Sequence, residues 1–365
     1  MKQFCLVLSA CLVSSLFLAQ NLVTSDVDFS LGENAYSQPS ETTPEAIIER
    51  YGSFKGAVLN MTRDEHIVLR AWEGFDIDEA RKFLRERKAQ WKIDHADEIA
   101  DRKAARMQQT DGCDCWIEPD ATYTLVDGAA AENSYSGAGD FVDFSTPEIP
   151  FGFDFELYGV VHNGFYLNSK GSVSFDGFTI DWTPEEFPVT TDDVAQIAGF
   201  WADADYTTSG EIYYKVMQDE VYINFIDVGY YADNTDLLNS YQIVITSENS
   251  NALPDGANTQ MCYLDMNWAH GDVGGSGGCC GDSPATVGMD DAPDDGAYLQ
   301  FGRFNTLDDT YNGPAGSGPE FDDGVNWLDY RIFNMDASED SENINPFPTG
   351  SLGCDTLYMC LGNTY

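Results

Sequence analysis

Two aspartates that stand two positions apart are the first residues whose spacing could support chemistry. They are Asp203 and Asp205, in the stretch GFWADADYTTSGEIYYKV (residues 199–216). Residues i and i+2 of an extended chain project to the same side, so both carboxylates could bind a calcium ion together with Glu211. Alternatively, they cap the turn that follows through hydrogen bonds to its backbone. We expect the cap, with calcium at Asp203, Asp205 and Glu211 as the alternative.

Motifs for catalysis are not found around these residues. The sequence has no HExxH motif, no phosphate-binding glycine loop, and no GxSxG motif in a strand-to-helix context. A carboxylate dyad would need one carboxyl group in a buried apolar setting, which the spacing does not indicate. The sequence therefore predicts a protein that is not an enzyme and requires no cofactor. The enzymatic alternative is a secreted hydrolase that uses carboxylates.

Nine cysteines indicate disulfide chemistry. Two of them, Cys5 and Cys11, lie in the apolar N-terminal stretch, and the rest are Cys113, Cys115, Cys262, Cys279, Cys280, Cys354 and Cys360. In an exported protein such residues are disulfide candidates, whereas zinc would need four Cys or His ligands at tetrahedral spacing. A bond from Cys262 to Cys279 or Cys280 would close the glycine-rich loop HGDVGGSGG, and Cys354 could pair with Cys360.

Aromatic residues in or beside loops are the candidates for ligand contact, because Tyr and Trp are common on binding surfaces. They are Trp182, Tyr230, Tyr231, Trp268, Tyr311 and Trp327. For Trp268 we expect burial in the core rather than ligand contact, and we expect Phe200 and Trp201 to pack in the core as well.

Short strand patterns dominate the chain after residue 110. Examples are IPFGFDFELYG, GSVSF, EIYYKVM, EVYINFIDVGYY and SYQIVITSE, with Gly, Asn, Asp and Pro in the gaps. In EVYINFIDV, Val221, Ile223 and Phe225 share one face, and Asp227 is next in that series. Many strands without intervening helices predict an antiparallel β-sandwich.

The preceding segment, residues 42–109, is helical in character. Its clearest part, residues 75–109, has no Pro or Gly and is rich in Ala, Glu, Arg and Lys. We expect a solvated helix or spacer, with a removable pro-segment or a helical partner site as the alternative.

Charge divides the chain near residue 110. Residues 1–110 hold 14 of the 18 Lys and Arg residues against 17 acids, and residues 111–365 hold 4 against 45. Nucleic acid and anionic membranes are therefore poor partners, because binding phosphates requires clustered basic residues. The acids either keep the protein soluble or hold divalent cations.

The first 19 residues, MKQFCLVLSACLVSSLFLA, are typical of a secretory signal peptide. A lipoprotein cleavage site at Cys11 is the alternative. Elsewhere the sequence has no apolar run of the roughly 18 residues that a membrane helix needs. We expect an exported protein that is secreted or held at the cell surface.

Five segments in order resemble the nidogen-like (NIDO) extracellular domain. They are IPFGFDFELYG, FYLNSKGSVSFDG, IAGFWADADYTTSGEIYYKV, SYQIVI, and YLDMNWAHGD with ATVGMDD. Gly199 departs from the family pattern, in which Pro is common. Flanking segments such as CDCWIEPDATYTLVDG and GPAGSGPEFDDGVNWLDYRIFN resemble large exported surface proteins of gliding Bacteroidota. The resemblance implies an adhesion module of a larger multi-module protein and supplies no catalytic residues.

These observations predict four regions. They are a signal peptide at 1–19, a linker and charged helical segment at 20–110, a nidogen-like β domain at 111–337 with its core at 147–300, and a linker with the start of a further β module at 338–365. The predicted function is cell-matrix adhesion through binding of an extracellular protein or glycan, and the alternative is a structural spacer that binds nothing.

Overall fold

The computed structural model describes most of the chain after the N-terminal 42 residues. The described residues are 43–108, 115–128, 133–134, 142–189, 194–254, 256–271, 278–280, 283–292, 296–311, 323–338 and 356–360. The predicted signal peptide lies outside them. All of them belong to one compact unit, Ser40–Tyr365.

Helices occupy the segment that was predicted to be helical. They are α1 (Pro44–Arg50), α2 (Phe54–Asn60), α3 (Arg63–Arg70), α4 (Ile77–Asp94) and α5 (Ala96–Gln108). The side chains of Thr43, Ser53, Thr62 and Asp76 each accept a hydrogen bond from a backbone N–H in the first turn of α1 to α4, which satisfies one of the free donors there. Residues 75–109 form two helices rather than one, because helical geometry is interrupted at His95.

Strands are the main regular elements of the described chain after α5. They are β1 (Thr124–Leu125), β2 (Asn133–Ser134), β3 (Phe144–Ser145), β4 (Ile149–Leu157), β5 (Val160–Asn168), β6 (Ser172–Ser174), β7 (Gln196–Trp201), β8 (Ala204–Asp205), β9 (Glu211–Val216), β10 (Glu220–Tyr230), β11 (Asn234–Thr246), β12 (Thr259–Asp265), β13 (Ala285–Asp290), β14 (Tyr298–Thr306), β15 (Asp323–Gly324), β16 (Ile332–Asp336) and β17 (Thr356–Cys360). A short 3-10 helix, Val325–Leu328, follows β15.

Two sheets form the predicted β-sandwich. The first has the strand order β1-β9-β10-β11-β12-β16-β17, with β8 also paired to β10. The second has the order β15-β14-β13-β7-β6-β5-β3-β2, with β4 paired to β5. Among the described strands, the pairings are antiparallel except for β14 with β15 and β16 with β17, which are parallel. The prediction of a mainly antiparallel sandwich behind helices is confirmed.

Aromatic side chains fill the space between the sheets. Phe225 stacks on Tyr241 with ring centroids 4.6 Å apart, and Phe200 meets Trp268 edge to face at 5.4 Å. Trp201 follows Phe200 on β7 and so points to the opposite face, where it belongs to a second apolar cluster. Both β7 side chains are therefore core residues, as predicted.

Strand β10 departs from the predicted alternation at a β-bulge. Phe225 pairs with Tyr241, but the next pair joins Val228 to Asn239, so β10 contains one extra residue. Asp227, which the alternation placed on the core side with Phe225, has a φ of 51°. Val228 takes the core position instead. The bulge frees the Asp227 carboxylate to face the helices.

The helices differ in how they pack on the sandwich. Val58 of α2 and Ala80 and Leu84 of α4 belong to the same apolar core as the sheets. Helix α5 contributes no buried apolar side chain among its described residues. No helix in the described part of the chain has both the length and the apolar character needed to cross a membrane.

Candidate interaction site

The first residue of α3 inserts its side chain into the acidic sandwich. Thr62 and Glu65 form a reciprocal capping box that sets where α3 begins. Arg63 then donates from Nε to Asp143 Oδ2 at 3.1 Å and from Nη2 to Asp203 Oδ1 at 2.8 Å. Only 9% of the Arg63 side chain is exposed. The guanidinium thus joins two carboxylates across a buried contact.

Two aromatic rings enclose the same guanidinium. The Arg63 Cζ lies 4.1 Å from the centroid of the Trp182 ring and 4.3 Å from that of Tyr231. The Arg63 backbone N–H also donates to the Tyr231 hydroxyl at 3.2 Å. Planar guanidinium groups favour such ring contacts. Both aromatics were predicted as ligand contacts, and the group that they contact belongs to the chain's own helix α3.

A second cation balances the two carboxylates. Lys170 Nζ lies 2.7 Å from Asp143 Oδ1 and 2.8 Å from Asp203 Oδ1, and it donates to the carbonyl of Ala204. Burial alone would raise the pKa of Asp143 and lower that of Lys170, but the opposite charges outweigh it. The pKa of Asp143 is therefore lowered and that of Lys170 is raised. We call Asp143, Lys170, Trp182, Asp203 and Tyr231 the arginine pocket.

The turn after Asp203 is capped as the sequence predicts, but by Asp205 alone. Asp205 Oδ1 accepts from the backbone N–H and the hydroxyl of Thr207 at 2.8 and 2.6 Å, and Oδ2 accepts from the Asp233 N–H at 3.0 Å. Burial, together with the charge of Asp233, raises the pKa of Asp205 to about 6. Asp203 does not cap the turn, because Arg63 and Lys170 bind its carboxylate.

The three predicted calcium ligands have other partners. Asp203 is ion-paired in the arginine pocket, Asp205 caps its turn, and Glu211 pairs with Lys92 of α4. Among the described residues, no group of three or more His, Cys, Asp or Glu side chains is placed to hold a metal ion. This geometry gives the calcium prediction no support, and it stays a prediction.

Ion pairs between helices and sandwich extend beyond the arginine pocket. They join Arg85 to Asp127, Arg87 to Asp233, Lys92 to Glu211, Arg102 to Asp227, Lys103 to Glu118, and Arg106 to both Asp227 and Glu118. Basic residues of the helices thus pair with acidic residues of the sandwich. This pairing explains part of the charge contrast between the N-terminal part and the remainder of the chain. Pairing with the chain's own cations is a role that neither alternative from the sequence, solubility or cation binding, included for these acids.

The remaining aromatic candidates are engaged within the sandwich. Trp268 and Tyr230 are 1% and 3% exposed, so neither is placed to contact a ligand, and Trp268 has the core position that we expected. Trp268 instead donates from Nε1 to the Val228 carbonyl at 2.8 Å. Tyr311 stacks on Trp327 with centroids 3.7 Å apart, and the Arg331 guanidinium lies 4.2 Å from the Trp327 ring. Both rings are half-buried.

Among the described residues, a disulfide joins Cys115 to Cys262, which are 147 positions apart, and another joins the neighbours Cys279 and Cys280. The predicted bond from Cys262 to Cys279 or Cys280 is therefore wrong. Cys113 and Cys354 lie outside the described residues. Cys360 ends β17, and its predicted bond to Cys354 stays a prediction.

Sequence reasoning missed Arg63, Asp143 and Lys170, although one signal was present. Lys170 is one of only four basic residues after position 110, and it is 1% exposed. A basic residue that is rare in an acidic region and flanked by strand patterns could have been identified as a buried ion-pair partner.

Comparison with known proteins places most of the sandwich in the NIDO-related family. Residues 118–306 match the family model described as NIDO related. Alpha-tectorin from Mus musculus is 30% identical over 159 residues, which covers 36% of this chain and 7% of that protein. Alpha-tectorin from Homo sapiens is 28% identical over the same shares. No solved structure matches the chain. The chain thus spans a small fraction of the curated relatives that it resembles.

Proposed function

The chain belongs to the NIDO-related family, and on that premise we propose that it is an extracellular module that binds a matrix protein or glycan at the cell surface. The single observation that carries this proposal is the family match over residues 118–306, which contain most strands of the sandwich. The two alpha-tectorins are extracellular proteins, and the matched region is a small part of each. We propose that this chain is likewise one module of a larger protein.

The surroundings of Asp203 and Asp205, the two carboxylates that the sequence singles out, agree with a binding function rather than a catalytic one. Asp203 lies between two cations, and Asp205 is held by Thr207 and Asp233. A general acid needs a carboxyl group that can reach a substrate, and each of these is 4% exposed. We therefore infer that the module acts through its surface.

Charge narrows the class of partner. The formal net charge is −44, so a protein surface with basic side chains is attracted, whereas polyanions are repelled. Single sites of modest affinity become effective when many copies are displayed together, because the second contact is intramolecular. The resemblance to surface proteins of gliding Bacteroidota stays a prediction, and it would supply such a display.

The test is binding of the full chain, displayed in many copies on beads, to panels of matrix proteins and glycans. Beads that carry another folded protein of similar negative charge density control for non-specific attraction. We expect binding to a defined subset that the control beads do not show. The subset should persist in chelator, because cations of the chain already hold Asp203 and Glu211.

Two other results would change the assignment. Loss of binding in chelator would establish calcium as part of the site. No binding on either panel, from protein whose fold is verified by circular dichroism, would contradict adhesion and favour the structural spacer.

A further inference from the structure

Helix α5 lies on the sandwich without an apolar anchor. None of its described apolar side chains is buried, and the most covered side chain is that of Arg106, which is 8% exposed. Met107 is 61% exposed. Helices in proteins are stabilised mainly by packing of an apolar face, and α4 has such a face through Ala80 and Leu84. Apolar burial therefore does not explain the position of α5.

Two arginines one helical turn apart make the contact instead. Arg102 Nε lies 3.1 Å from Asp227 Oδ1, and Arg106 Nη1 lies 3.3 Å from the same oxygen. Arg106 Nε also donates to Glu118 Oε2 at 3.2 Å. Residues i and i+4 share one face of a helix, so α5 presents both guanidinium groups to one acidic spot.

The acidic spot is built by the sandwich independently of α5. The bulge in β10 directs Asp227 towards the helix, and the Asp227 N–H donates to Ser240 Oγ at 3.0 Å. Glu118 accepts from Trp116 Nε1 at 2.8 Å. The segment that carries Glu118 is held by the nearby disulfide of Cys115. A positive φ at a non-glycine residue such as Asp227 is uncommon and marks functional positions more often than others.

The same segment is also fastened by side-chain amides of the sheet. Asn224 Nδ2 and Gln242 Nε2 donate to the Ile117 carbonyl at 2.9 and 3.0 Å. Asp227 and Glu118 would therefore stay in place if α5 moved away. Two fixed carboxylates would then be left without the guanidinium groups that neutralise them, which favours another cationic occupant.

Building on the proposed function, we propose that Asp227 and Glu118 form a docking surface for an arginine-bearing helix of a partner protein, and that α5 occupies this surface as an intramolecular competitor. The partner would present two arginines four residues apart on an otherwise polar face. Arginine fits better than lysine, because its planar fork can bond two oxygens at once. The Arg106 pairs with Asp227 and Glu118 are largely covered, with side chains 8% to 17% exposed. Helix α5 can still exchange, because no apolar side chain of its described residues is buried with them and a partner helix with the same two arginines restores both contacts.

The experiment measures binding of a fluorescent peptide with the sequence of residues 95–108 to the full chain by anisotropy. The double variant Arg102→Ala/Arg106→Ala removes the internal competitor and should bind the peptide at least tenfold more tightly than the unmodified chain. The matched control, Lys55→Ala/Lys82→Ala, removes two charges that pair with Glu86 inside the helical segment. It should bind the peptide as the unmodified chain does.

Specificity is tested on both sides of the contact. Adding Glu118→Gln and Asp227→Asn to the double variant should abolish its gain in peptide affinity. A peptide with Lys at both arginine positions should bind the double variant several-fold more weakly than the arginine peptide does. Circular dichroism verifies that each variant is folded; if Asp227→Asn unfolds the protein, Glu118→Gln alone should still reduce peptide binding.

The proposal is overturned if the double variant binds the peptide no better than the unmodified chain. Dimers of the unmodified chain that the peptide dissociates would also overturn it, since a second copy would then be the occupant. The bead panels do not depend on α5, so the proposed function and this docking surface can fail separately.

Discussion

Arg63 Nη2 lies 2.8 Å from Asp203 Oδ1, although the two residues are 140 positions apart in the sequence. This contact joins the beginning of α3 to the turn after β7 inside a pocket that also holds Lys170. It makes part of the helical segment a structural component of the sandwich.

Replacement of Arg63 by Ala should destabilise the protein by about 3 kcal/mol. This is the low end of the range for breaking a buried ion pair, because Lys170 still neutralises the carboxylates. Arg63→Lys should cost less than Arg63→Ala, since it keeps the charge and loses the fork and the ring contacts. The measurement is urea denaturation. Lys55→Ala, which removes half of an exposed pair, should cost under about 1 kcal/mol. Equal losses for Arg63→Ala and Lys55→Ala would contradict the pocket.

Loss of the Cys115–Cys262 disulfide should cost about 2 to 5 kcal/mol of unfolding free energy. A crosslink between residues 147 positions apart strongly restricts the unfolded chain. Thermal melting of Cys115→Ser tests this prediction. The matched control is Cys279→Ser/Cys280→Ser, which opens a link between adjacent residues and should shift the melting temperature little. A larger shift in the control than in Cys115→Ser would contradict the prediction.

Stability should fall as pH rises from about 4 to about 6 because of Asp205. Burial and Asp233 raise its pKa from 3.8 to about 6 in the folded protein, so the folded state binds more protons than the unfolded state in this window. The stability contribution is fully present below the unfolded pKa and is lost as pH passes through the folded pKa. The loss is about 2 to 3 kcal/mol.

Urea denaturation at several pH values compares Asp205→Asn with the unmodified chain. The variant cannot ionise at this position, so its stability should decline less between pH 4 and 6. Asp143 acts in the opposite sense, because its lowered pKa contributes stability that is lost below about pH 4. Parallel pH profiles for the variant and the unmodified chain would show that Asp205 does not titrate as expected.

Amide hydrogen exchange should accelerate with salt more in α5 than in α4. Ion pairs hold α5, and raising ionic strength from about 0.1 to 1 M shortens the screening length from about 10 to 3 Å. Helix α4 also forms ion pairs with the sandwich, but buried Ala80 and Leu84 anchor it as well, and apolar contacts are not weakened in this way. Mass spectrometry of peptides from the two helices gives the comparison within one sample. Uniform behaviour of the two helices would contradict the view that charge alone positions α5.

Local patterns in the sequence were sufficient for the architecture. Alternating β-branched and aromatic residues identified strands, and a segment without Pro or Gly identified helices, because both signals depend on neighbours within a few residues. The ordered segments around Phe200 and Trp201 also pointed to the NIDO family before any contact was known. The strands, the helices and the family were all confirmed. The alternation of side chains and the family motifs can be read from neighbouring residues, so they do not depend on contacts between residues far apart in the sequence.

Only the tertiary structure showed which side chains contact the residues that the sequence analysis proposed as site residues. Asp203 looked like a metal ligand or a turn cap until the fold placed Arg63 and Lys170 beside it. Trp182 and Tyr231 looked free for a ligand until α3 inserted its guanidinium between them. The β10 bulge placed Val228 in the core where alternation expected Asp227, because one extra residue reverses the side of every residue that follows. Such contacts join positions that are many tens of residues apart, and a sequence pattern records the type of a residue but not the partner that folding brings to it.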